Sequence, residues 1–196
     1  MNSLSRVTGM IGLGFCALAA APACAAPITY TVSGTFVVSL GSTPLPADIV
    51  STGIGDTNDV LTGSAIYVPL SSLVANVSLV GDVTATDSYD FFLVNGSNLA
   101  GIWTHGTHNI VFQFTDPSLG SYDGISNFGP QSVTNAGGGS VDTDYGTVSL
   151  LGATNLHFAA AVASVPEPSS WMLLVAGFGL AGLALRSRAT GRNALA

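Results

Sequence analysis

The chain has 196 residues, four basic side chains, eleven acidic ones and a formal net charge of −7. All the basic residues (Arg6, Arg186, Arg188 and Arg192) lie outside positions 26–165, and there is no lysine, so this stretch carries ten aspartates and no side-chain cation other than three histidines. Nucleic acid is excluded as a partner, because displacing counterions from a phosphate backbone takes Lys or Arg, and anionic lipid headgroups are disfavoured for the same reason.

At the start of the chain, Arg6 precedes an apolar run over 7–21. Ala23-Cys24-Ala25 then places small residues at −3 and −1 of a cut near Ala25/Ala26, so 1–25 reads as a secretory signal peptide. Cys24 raises the alternative of a lipid-modified cysteine, but Ala21 stands three residues before it, where that pattern takes a larger aliphatic side chain. Both cysteines, Cys16 and Cys24, fall in this segment. Disulfide, zinc–thiolate and cysteine-nucleophile chemistry are therefore closed to the rest of the chain.

Residues 26–163 are long enough for one core without staples. Their wealth of Gly, Thr, Ser and Val favours strands and turns over helices. Ile28, Tyr30, Val32, Phe36, Val38 and Leu40 occupy even positions, with Thr29, Thr31, Ser33, Thr35 and Ser39 between them. That period of two predicts a long half-buried strand, with a bulge at Gly34. Alternating segments recur within 61–70 and 73–86.

Asn95-Gly96 suits a type I′ turn and Gly106-Thr107 a type II′ turn. They predict strands over 89–94, 97–105 and 108–115, with Trp103 opposite Ile110 and Gly101 opposite Phe112 on one inner face. The segment 117–144 is dense in Gly, Ser, Asn and Asp and contains Gly137-Gly138-Gly139. It reads as a long loop of the kind that is functional, mobile or partly stranded. Late strands are predicted over 145–151 and 155–163, the second with Leu156, Phe158, Ala160 and Val162 on one face and His157 on the other. No internal repeat and no Thr-x-Thr ladder is evident. Short strands between turn signals predict an all-β domain over 26–163, an antiparallel β-sandwich or jelly roll.

Candidate chemistry is sparse. His105 and His108 flank the second predicted turn as cross-strand neighbours on one face, where they could share a metal, or merely close a hairpin; a third ligand is not identifiable. Asp142-Thr143-Asp144 and Asp56-Thr57-Asn58-Asp59 resemble fragments of oxygen-ligand calcium loops, but neither completes the twelve-residue pattern with its terminal glutamate. Aspartates in turns more commonly cap their own backbone. Calcium is the one cofactor such a pattern leaves open, and ten uncompensated aspartates add some reason to consider it. There is no glutamate in 26–163 for a glycosidase pair, although aspartates could serve. Neither a G-x-S-x-G elbow nor a phosphate loop appears. No catalytic residue is assigned and no enzyme activity is expected.

The end of the chain is the most specific part. Pro166-Glu167-Pro168 lies in a stiff linker, 164–170. Trp171 opens an uncharged stretch of 15 residues, 171–185, and Arg186, Arg188 and Arg192 follow in a basic tail, 186–196. As a helix that stretch reaches roughly 22 Å, short against a bilayer core of about 30 Å unless the flanking serines and snorkelling arginines extend it. An interfacial tryptophan at one end and arginines at the other predict a membrane-spanning helix with its basic end inside. The small residues Gly177 and Ala181 share a face of that helix and would admit close packing.

This order of residues resembles the PEP-CTERM sorting signal of bacterial exopolysaccharide-associated surface proteins, in its PEPxxWA-like variant. Similar tails are also catalogued as the C-terminal domain named after ice-binding proteins. Pro166, Glu167, Pro168 and Trp171 match the signature, and Arg186, Arg188 and Arg192 match its basic end; Met172 replaces the usual alanine and Ser187 interrupts the basic cluster. The resemblance implies an exosortase-like membrane enzyme as a partner, cutting near Pro-Glu-Pro. It covers only the tail and implies nothing about the chemistry of 26–163. Three readings of the domain follow: a non-catalytic surface or matrix protein associated with extracellular polysaccharide, a carbohydrate- or calcium-dependent binding module with its site in 117–144, and an aspartate-based hydrolase.

Overall fold

The computed structural model describes residues 25–40, 43–78, 80–164 and 177–178. The chain divides into one unit, Ala25–Val165, and a second made of the two termini. The predicted signal peptide, linker, membrane helix and basic tail lie outside the described residues, apart from Ala25, Ser164 and the helical pair Gly177 and Phe178. Among the described residues, no helix is long and apolar enough to cross a membrane.

The strands are β1 (Pro27–Leu40), β2 (Thr43–Asp56), β3 (Leu61–Thr62), β4 (Ala65–Val77), β5 (Gly81–Thr84), β6 (Tyr89–Val94), β7 (Leu99–Thr104), β8 (Ile110–Thr115), β9 (Phe128–Gly138), β10 (Ser140–Thr143) and β11 (Gly146–Val162), with a 3-10 turn at Pro117–Ser121. β1, β2, β4, β6, β7, β8, β9 and β11 pair antiparallel, each with the next, and β11 returns to β1. The all-β antiparallel expectation holds, but the sandwich gives way to a closed eight-stranded barrel. The pairing that decides this joins the two ends of the domain, from Ile28 opposite Val162 to Leu40 opposite Val148. Closure leaves no open edge between the first and last strands, and so remote a contact leaves no local trace in the sequence.

Closure needs strongly bent strands, and bulges supply the bend. Against β1, β11 slips in register between Ser33 and Thr35 and again between Val37 and Val38. At the first slip Asn155 takes φ 53°. The predicted bulge is thus real, but the extra residue belongs to β11, across from Gly34. A Cβ on Gly34 would lie 2.7 Å from Leu156 Cδ2 and 2.9 Å from the Thr154 carbonyl oxygen. The two predicted late strands are one, because β11 runs through Gly152 without a break.

β4 slips at Ser71, whose Oγ donates to the Ile54 carbonyl at 3.0 Å. There it changes partner, with Ala65–Leu70 pairing β6 and Val74–Val77 pairing β5. β11 does the same between β10 and β9. The ends of β5 and β10 meet at an Ala85–Thr143 bridge, with Thr86 N donating to Asp142 O at 2.9 Å and Asp144 N to Thr84 O at 3.1 Å. The two short strands thereby form a strap from β4 to β11.

The segment read as a loop, 117–144, is mostly structured: the 3-10 turn, β9 and β10 fill it. Its triple glycine serves close backbone approach, since a Cβ at Gly138 would lie 2.2 Å from Leu150 O and one at Gly139 1.9 Å from Ile110 O. In the central meander Trp103 lies opposite Ile110 as expected, but Phe112 pairs with Ile102 and not with Gly101. This slip at Val111 brings Ile102 in place of Trp103 to the inner face, while Phe112 keeps its expected inward side. Ile102 and Phe112 are buried inside the barrel, while Trp103 lies on the outer side, where β7 pairs with the Asp90 position of β6.

One half of the interior is filled by rings. Tyr30 stacks on Phe91 at 4.1 Å, Phe158 lies 5.6 Å from Phe91, and Phe114 lies 4.8 Å from Phe158. Tyr122 and Phe128 extend this cluster, 4.6 Å apart. Aromatic side chains bury about 150–250 Å² each, which makes this half the densest source of hydrophobic stabilisation. The Tyr30 hydroxyl keeps a partner inside it, donating to the Gly124 carbonyl at 2.6 Å.

Candidate functional site

The outer face of β6 and β7 carries a buried acid. Asp90 alternates outward from Phe91 in Tyr-Asp-Phe-Phe-Leu-Val, yet it is only 3% exposed. Trp103 sits opposite it across the β6–β7 ladder and donates its Nε1–H to Asp90 Oδ2 at 3.3 Å. His105 Nδ1 approaches Oδ1 at 2.8 Å and Oδ2 at 3.0 Å. The backbone fixes the approach, because His105 N donates to Ser88 O at 2.9 Å. A carboxylate in this position holds the imidazole tautomer with the proton on Nδ1. The His105 side chain is 51% exposed, so its far edge meets solvent.

Aromatic rings surround the pair. Trp103 stacks with Phe92 at 4.5 Å, Tyr67 at 4.8 Å and His108 at 4.4 Å. The rings cover one another, and Phe92 is 2% exposed. This arrangement excludes water from Asp90 more than it offers an open stacking platform.

His105 and His108 both reach this outer cluster, through different neighbours, Asp90 and Trp103. The turn is wider than two residues. Thr104 N donates to Asn109 O at 2.9 Å and His108 N to Thr104 O at 3.0 Å, with φ of 81° at Gly106 and 55° at His108. The wider loop sends His105 to Asp90 and lays His108 on Trp103. Among the described residues, no group of three or more His, Cys, Asp or Glu is placed to hold a metal ion.

Asp142 and Asp144 lie on the strap. Asp142 Oδ1 accepts from Thr147 Oγ1 at 2.5 Å, and Asp144 Oδ1 accepts from Thr84 N at 3.1 Å. The Tyr89 hydroxyl accepts from Asp142 N at 3.3 Å. These contacts tie β10 to β5, β6 and β11. Asp56 accepts from Asn58 N at 2.8 Å and Asp116 from Ser118 N at 2.8 Å, as turn and helix caps do. At Asp123, desolvation raises the pKa. The hydroxyl and amide of Ser126 (2.5 and 2.8 Å) and the amide of Ile125 (3.0 Å) outweigh it and hold the carboxyl below its ordinary value.

Asp90 was not singled out from the sequence. The available signal was an acid in a six-residue apolar strand, placed by β-register within reach of one of the domain's three histidines. The sorting residues Pro166, Glu167, Pro168 and Trp171 and the topology-setting Arg186, Arg188 and Arg192 lie outside the described residues.

No curated protein and no solved structure matches the chain. Residues 164–189 match the family model described as the PEP-CTERM protein-sorting motif. That span contains the Pro-Glu-Pro, Trp171, the uncharged stretch and the first two arginines of the tail. By this match, and not by its barrel, the chain is identified: it carries a PEP-CTERM protein-sorting motif at its carboxyl end.

Proposed function

We propose that the protein is exported, is held in the membrane by the 171–185 helix, and is cut near Pro166-Glu167-Pro168 by an exosortase-type membrane enzyme. The barrel then remains at the cell surface or in the extracellular polysaccharide matrix as a non-catalytic component. The observation that carries the reading is the match over 164–189. Arg6 and the apolar run behind it support export through a cleaved signal. The non-catalytic role draws on the side-chain inventory, since 26–163 holds no Cys, Glu, Lys or Arg, and on aspartates engaged by neighbouring amides and hydroxyls.

A carbohydrate- or calcium-dependent module has less support, because the Trp103 rings stack on one another and Asp142 and Asp144 brace the strap. An aspartate-based hydrolase has less still. The test replaces Pro166, Glu167 and Pro168 with alanine in the native host. Full-length protein should accumulate in the membrane, and mass spectrometry of the wild-type carboxyl end should place the cut near this motif. Normal processing of the triple variant would defeat the proposal.

A further inference from the structure

The barrel interior has two unlike halves. The half around Tyr30, Phe91 and Phe158 is filled by stacked rings. The other half, beneath the β5–β10 strap, contains a cavity of about 100 Å³. Its lining is mostly aliphatic, from Ile49, Leu73, Ala75, Val83, Val141 and Val148, together with the rings of Phe36 and Phe112. Small and β-branched side chains line this half where large rings fill the first.

Water is a poor occupant. Among the described residues, hydroxyls reach the lining only from Ser51, Thr143 and Tyr145, and Thr143 Oγ1 is already committed to Gly146 O at 2.7 Å and Tyr145 N at 3.1 Å. A buried water needs about two to four polar partners, and cavities of about 150 Å³ walled by such side chains stay dry and take up benzene or xenon. Left empty, the lining atoms lose dispersion contacts that a close-packed interior normally makes. The cavity also reaches the surface, because two residues that line it, Val80 and Tyr145, are 45% and 58% exposed.

We propose that this cavity is a binding site for a small apolar organic group, the size of a benzene ring or the last few carbons of an acyl chain, entering between Val80 and Tyr145. The site stands independently of the sorting reading, since it lies wholly within the barrel.

The test uses the full chain in lipid nanodiscs with ¹³C-labelled methyl groups, titrated with benzene and, separately, with hexanoate. Saturable shifts are expected at the methyls of Leu73, Val83 and Val148, with Leu93 and Leu119 in the ring-filled half unmoved. A response to hexanoate as well as benzene assigns the group to an acyl terminus, and a response to benzene alone to a free neutral molecule; both uphold the site. Val83→Phe and the milder Ala75→Leu should fill the space, reduce the benzene shifts at least tenfold and keep or raise the melting temperature. The absence of saturable shifts in the wild-type chain overturns the proposal whatever the variants do, as do shifts that persist unchanged in a folded Ala75→Leu protein.

Discussion

His105 Nδ1 bridges both oxygens of Asp90, at 2.8 and 3.0 Å, on the outer wall of the barrel. The acid is buried and the base is half in water. No lysine or arginine exists in the domain to take the place of this histidine. Asp90 therefore depends for satisfaction on His105 and on the indole of Trp103.

Removing His105 should be costly out of proportion to its exposure. His105→Ala leaves a buried carboxylate with the Trp103 donor and little else, a loss of about 1–3 kcal/mol in urea unfolding. Asp90→Asn should soften the effect, and a double-mutant cycle between the two positions should show a coupling of about 0.5–3 kcal/mol. Additive single effects would show that the pair is not coupled.

Alkali should unfold the barrel in step with tyrosine ionisation. Burial pushes the Tyr30 and Tyr122 hydroxyls far above their ordinary value, aided for Tyr30 by the nearby Tyr122 and Asp123 and for Tyr122 by Asp123; Tyr89 is raised as well, mainly by burial. For groups raised in the folded state, the stabilisation is complete below the unfolded value of about 10 and is lost as pH rises beyond it, because the unfolded chain releases the proton first. Ionisation of these three tyrosines, followed by their ring resonances, and loss of the fold should appear together. Free titration of Tyr30, Tyr89 and Tyr122 near pH 10 in an intact barrel would contradict this.

Asp123 works in the opposite direction. Its carboxyl is held low, so its contribution is present above the unfolded value of about 3.9 and is lost as pH falls through the folded one. Ser126→Ala removes one of the hydroxyl and amide donors and should move the Asp123 carboxyl resonance to titrate at higher pH. The acid limb of the melting curve should become shallower with it, because less stabilisation is left to lose below the unfolded value. An unchanged titration would show that the Ser126 hydroxyl does not hold the charge.

Gly139→Ala should damage the fold although alanine is small. Its Cβ would fall 1.9 Å from the Ile110 carbonyl oxygen, and backbone on backbone cannot step aside as a flexible side chain can. A loss of about 1–3 kcal/mol or more is expected in thermal or urea unfolding. Gly146→Ala offers a contrast, since no atom lies within 4 Å of its Cβ and only its φ of 102° opposes the change.

Much of the domain was legible one strand at a time. The even-numbered Ile28, Tyr30, Val32, Phe36 and Val38 are buried as their alternation requires, and Leu156, Phe158 and Ala160 face the core while His157 does not. β6 has the bounds its flanking turn implied. Where the expected register failed, an extra residue was responsible. The slip at Val111 exchanged Trp103 for Ile102 on the inner face. A single inserted residue reverses every side chain beyond it, and nothing local marks which strand will carry it.

Alternation, charge and the terminal motif are properties of neighbours along the chain. They are enough to establish that the domain is β, that it holds no lysine or arginine, and that its tail carries a sorting signal. Closure of β1 on β11, burial of Asp90 between Trp103 and His105, and a hollow half beside a ring-filled one depend on residues far apart in the chain. These emerge only once the chain is folded, because barrel closure and register are settled by the summed packing of all the strands together.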